Sequence, residues 1–117
     1  MPQIKKFTKA EFRRTVQKTL GDGWFGERIL NSAYRKYEEL FTHIRNLSKK
    51  EPHELLILLQ DFGGLRDQHF EKFMIHAPTE GVQIEKELAA YLAFKVICDE
   101  IMRFAFARVY SSSFAKR

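Results

Sequence analysis

Cysteine is nearly missing from the chain. The 117 residues contain one, Cys98, so no disulfide can form within it. A fold of this length must therefore hold together by burial alone, and it can bury roughly two-thirds of the surface its unfolded chain exposes. Proline and glycine are also scarce, at three and six residues. That leaves few turn-formers for an all-β architecture and few breakers for helices. Long apolar runs are missing too. The most apolar stretch, 88–110, is interrupted by Lys95, Asp99, Glu100, Arg103 and Arg108, whereas a membrane-spanning helix needs about 20 mainly apolar residues with few or no charges. The opening Met1-Pro2-Gln3-Ile4-Lys5-Lys6 has cations but no apolar segment behind them, so no secretory signal is expected. With the single cysteine, this leads us to expect a cytoplasmic protein, or a nuclear one in a eukaryote. Repeats, linkers and low-complexity tracts are absent, and a single domain over 1–117 is expected.

Motifs that carry chemistry are missing as well. Gly21, Gly23 and Gly26 in GDGWFG do not follow a strand pattern and fit neither nucleotide fingerprint, so they read as a helix-terminating turn. The histidines, His43, His53, His69 and His76, show no H-E-x-x-H, paired Glu-x-x-His or Cys/His zinc spacing. Glu39 and His43 stand one helical turn apart, a spacing that also arises by chance. Cys98 falls inside an apolar helical pattern, where a buried structural thiol is the ordinary outcome. His69, next to polar neighbours, reads as a surface residue. The expectation is a non-enzymatic protein without metal or cofactor.

What is present is a helical pattern. Apolar residues make up 44% of the chain, charged residues 30%, and phenylalanine alone occurs eleven times. Thr8 and Glu11 have the form of a capping box, and the chain from 8 to 20 carries an apolar stripe of Phe12, Val16 and Leu20 flanked by cations. From 27 to 47, Ile29, Leu30, Ala33, Tyr34, Tyr37, Leu40, Phe41, Ile44 and Leu47 follow helical spacing. Ser48 and Glu51 repeat the capping-box form, and Pro52 suits a first turn. A third helix is expected through Leu55–Leu59, a break at Gly63-Gly64, and a short fourth helix over 65–75. A fifth, long helix spans 82–110, with Lys95, Asp99 and Arg103 as a charged seam with i,i+4 pairing and a frayed tail at 111–117. The fold expected is an all-α, compact bundle of about five helices with a long, largely buried C-terminal helix. A helix-turn-helix at the Gly-Gly break is disfavoured, because the would-be recognition helix is nearly neutral and lies in acidic surroundings.

Charge is distributed unevenly. Residues 1–50 carry twelve Lys/Arg against five Asp/Glu, residues 51–87 carry three against eight, and residues 88–117 carry five against two. Six cations, Lys5, Lys6, Lys9, Arg13, Arg14 and Lys18, fall within fourteen positions, and Lys49 and Lys50 add to them. Such a helix can track phosphates, or its cations can be cancelled by the acids of 51–87. Trp24 and Phe25 place two large rings in the glycine-rich turn, where they can anchor a partner or cap the bundle. In size, helical content and basic character the chain resembles the small helical subunits of CRISPR effector complexes, which line a nucleic-acid path without doing chemistry. This is a likeness of class that rests on no shared residue pattern. The function expected is a nucleic-acid-binding accessory subunit (DNA or RNA, through the backbone) within a larger nucleoprotein assembly. The alternative is a protein-interaction module, an inhibitor, immunity or assembly protein, whose basic end docks on an acidic partner or which self-associates.

Overall fold

The computed structural model describes residues 5–20, 26–46, 49–76 and 82–115. Among these residues there are four α-helices and no strand: α1 (Lys9–Leu20), α2 (Glu27–Ile44), α3 (Pro52–His76) and α4 (Val82–Ala115).

The capping box at the start of α1 forms as the sequence implies. The Thr8 N–H donates to Glu11 Oε1 at 2.9 Å and the Glu11 N–H donates to Thr8 Oγ1 at 3.2 Å, so each residue satisfies a donor the helix cannot. At α3 the cap sits three residues later than the Ser48 pattern suggests, and Ser48 lies outside the described residues. The backbone of Glu51 accepts from Leu55, its N–H donates to Glu54 Oε2 at 2.7 Å, and Pro52 takes the first helical position, where it loses no hydrogen bond.

The expected break at Gly63-Gly64 does not occur, and four helices replace five. α3 passes through both glycines as one 25-residue helix. Residues on either side of the pair bury the same face against α4: Leu55 and Phe62 before it, His69 and Phe73 after it. Two glycines cost a helix about 1 kcal/mol each, less than burial of these side chains returns. With a continuous helix over Pro52–His76, these residues form no helix-turn-helix.

α4 is the hub. It is 34 residues long, about 51 Å at 1.5 Å per residue, and it sets the 55 Å axis of a molecule measuring 26 × 23 Å across. α2 and α3 both lie along it, and α1 packs at one edge against α2 and α4. Leu88, Leu92, Ala93, Phe94, Val96, Ile97, Cys98, Ile101 and Phe104 are all buried, as expected for a helix surrounded by partners. Lys95 and Asp99 are partly buried and Arg103 exposed. The three share one strip of α4, but no ion pair forms between them.

The abundant rings fill the gaps between helices. Phe7, Phe12, Tyr34, Tyr37 and Phe41 form one aromatic cluster between α1 and α2. Phe62, Phe94 and His69 form another between α3 and α4.

Candidate nucleic-acid interface

Phe12 and Val16 are wholly buried and define the inner side of α1. Arg14 lies two residues from each, about 200° around the helix from both, and so faces directly outward. Lys18 stands one turn further along the same column. Lys9 and Arg13 form a second column on the flank. Lys5, Lys6, Lys9, Arg14 and Lys18 are exposed, and Arg13 is partly buried.

Two of the six cations are committed internally. Lys6 Nζ lies 2.7 Å from Glu38 Oε2, and this contact raises the pKa of the ammonium. Arg13 pairs with Glu27. Both acids belong to α2, not to the acidic middle segment. Lys9, Arg14 and Lys18 make no ion pair among the described residues, nor does Lys5. The charges of Lys5 and Arg14 do reach Glu11, whose carboxyl is held below its usual range first by the hydrogen bond from the Thr8 backbone and then by that from its hydroxyl.

The structure brings a further cation to this end of the molecule. α1 and α2 run antiparallel, so Lys6 comes to the C-terminal end of α2, where the charge of Arg45 acts on it. Arg45 is exposed. The sequence marks Arg45 only as one cation among many, since nothing local links it to a residue 39 positions earlier. Lys49 is exposed in the turn before α3, whereas Lys50 is partly buried and engaged with neighbours. Trp24 and Phe25 lie outside the described residues.

The basic end is fastened by a buried polar chain that the sequence does not reveal. The Phe7 N–H donates to Tyr37 Oη at 2.8 Å, and the Tyr34 hydroxyl donates to the Phe7 carbonyl at 2.8 Å. The Tyr37 hydroxyl in turn donates to Glu100 Oε1 at 3.0 Å. Glu100 is 7% exposed, and its Oε2 is buried with no hydrogen-bond partner. Burial pushes its carboxyl up to about 7, against the opposing effects of the Tyr37 hydroxyl and Arg103. A signal for Glu100 exists in its helical phase, since it shares a face with Ala93, Val96 and Phe104.

His69 is also not the surface residue its neighbours suggest. It is partly buried, stacks on Phe94 at 5.5 Å, and places Nδ1 2.7 Å from Glu87 Oε2. His43 meets the edge of Phe62. Among the described residues no group of three or more His, Cys, Asp or Glu side chains gathers as a metal site, and no helix is long and apolar enough to cross a membrane.

Comparison of the chain with protein-family models, with curated proteins and with solved structures finds no match.

Proposed function

We propose that the protein is a non-enzymatic helical accessory subunit that holds a nucleic-acid backbone through the outer columns of α1 and the adjoining basic end. The observation that carries this reading is the placement of Arg14 and Lys18. They face outward without ion-pair partners among the described residues, while the ion pairs of Lys6 and Arg13 run to Glu38 and Glu27 of α2 and not to the acids of 51–71. Lys5, Lys9 and Arg45 extend the positive field along the same end. An unneutralised field of this kind draws phosphates by counterion release and carries no sequence preference.

The test is a binding titration against a mixed-sequence duplex at several salt concentrations. Four phosphate contacts, from Lys5, Lys9, Arg14 and Lys18, give a slope of log K against log salt of about −3.6. Reversing both Arg14→Glu and Lys18→Glu should flatten that slope by about half and leave the melting temperature nearly unchanged, because exposed substitutions usually cost little stability. No binding at low salt, or a slope indifferent to the reversals, removes this reading.

A second reading rests on a different observation. Leu56, Phe70 and Met74 on α3 are 44% to 56% exposed, and Leu56 and Met74, eighteen residues or five full turns apart, share one azimuth. Exposed apolar side chains gathered on one side suit contact with another protein, which would make the chain an assembly module. Association that survives high salt and is weakened by Leu56→Lys with Met74→Lys would favour this reading.

A further inference from the structure

We propose that an open pocket lined by α2, α3 and α4, whose lining includes none of the α1 cations, binds a small organic phosphate monoester of about the size of a nucleoside monophosphate. The pocket has a volume of about 420 Å³, within the range of small-molecule sites and much larger than a bare phosphate needs.

Its chemistry follows from which lining groups are already occupied. α2 contributes Arg28, Ser32 and Lys36, spaced i, i+4 and i+8 and so forming one column about 12 Å long. Lys86 of α4 provides a third cation. Both carboxylates of the lining are engaged: Glu85 with Arg28 at 2.8 Å, and Glu87 with His69 at 2.7 Å. The cations are less committed. Lys86 has no ion pair among the described residues, and Lys36 has only Glu39 at 3.6 Å, on an exposed side chain. The positive groups therefore outnumber the negative ones and are the freer set, so an anion is the ligand this lining favours.

The remaining groups define the rest of the ligand. A carboxylate can only accept, so the His69 Nδ1–H donates to Glu87 and leaves Nε2 as the ring's remaining polar atom. The Ser32 hydroxyl adds a neutral donor. Two cations on facing helices can engage a dianion together, which a phosphate monoester supplies. The buried Ala89 and Ala90 and the aliphatic stems of the lysines give an apolar wall for a ring or sugar.

The test uses the intact chain and calorimetry with AMP and glucose 6-phosphate, with adenosine and glucose as neutral controls. At least one phosphate ester should bind while its neutral counterpart does not. Lys86→Ser and Lys36→Ser should each weaken binding about tenfold. Ser32→Trp, at an exposed helical position, should abolish it by filling the space without unfolding the protein. The double reversal of Arg14 and Lys18 should leave it intact, so this proposal and the nucleic-acid reading can fail separately. Absence of binding by both esters at millimolar concentration overturns the proposal. So does equal binding of the neutral controls, or binding that Ser32→Trp leaves unchanged.

Discussion

Glu100 gives the protein a pH dependence with a definite sign. Its carboxyl is pushed to about 7 in the folded protein, chiefly by burial, and lies near 4.5 when unfolded. Between these values the folded state holds a proton that the unfolded chain has released, so the contribution to stability is fully present below about 4.5 and is lost as pH rises through 7. The loss should total about 3 kcal/mol. Melting temperatures between pH 5 and 8 should show the decline, and Glu100→Gln should remove most of the slope. Tyr37→Phe takes away both the donor to Glu100 and the acceptor for Phe7, and should cost about 2 kcal/mol, read by denaturant unfolding. Cys98 is wholly buried, and burial raises its thiol to about 11. We expect a thiol reagent to leave it unmodified in the native protein and to label it once denaturant is added.

Each helix shows a different relation between its sequence and its structure. α2 is the most legible, because Leu30, Ala33, Tyr37, Leu40, Phe41 and Ile44 all face inward at the spacing that a helix lying on a core requires. α3 is the least legible. Local propensity places a stop at Gly63-Gly64, yet the face shared by Phe62 and Phe73 carries the helix across, a case of tertiary packing overriding propensity. The glycines therefore weaken a helix that does not need them. A β-carbon at Gly64 meets nothing within 4 Å, and at Gly63 it meets only the flexible end of Arg66 at 3.8 Å. Gly64→Ala should stabilise the protein by about 0.5–1 kcal/mol, visible as a higher denaturant midpoint. Of the candidate sites, the cations of α1 were legible as a cluster, since charge is a property of composition. Their division into free and committed groups was not, because Glu27 and Glu38 meet Arg13 and Lys6 only when α2 folds back along α1. The pocket was hidden for the same reason: Arg28, His69 and Lys86 come from three helices and have no local signature.

The molecule as a whole is elongated, 55 Å long and 26 × 23 Å across, and every helix packs against α4. Its neighbours do not grip that axis equally. α3 and α2 lie along it over many turns, whereas α1 reaches the core mainly through Phe12 and Val16, with Phe7 just ahead of it packed against the same core. The shortest helix, which carries the exposed cations, is thus the one with the least holding it down. Amide hydrogens of α1 should exchange with solvent sooner than those of α4, as expected where few apolar contacts resist local opening. An anionic partner spanning Lys9, Arg14 and Lys18 would then act as a clasp, and the slowing of exchange in α1 would report its arrival.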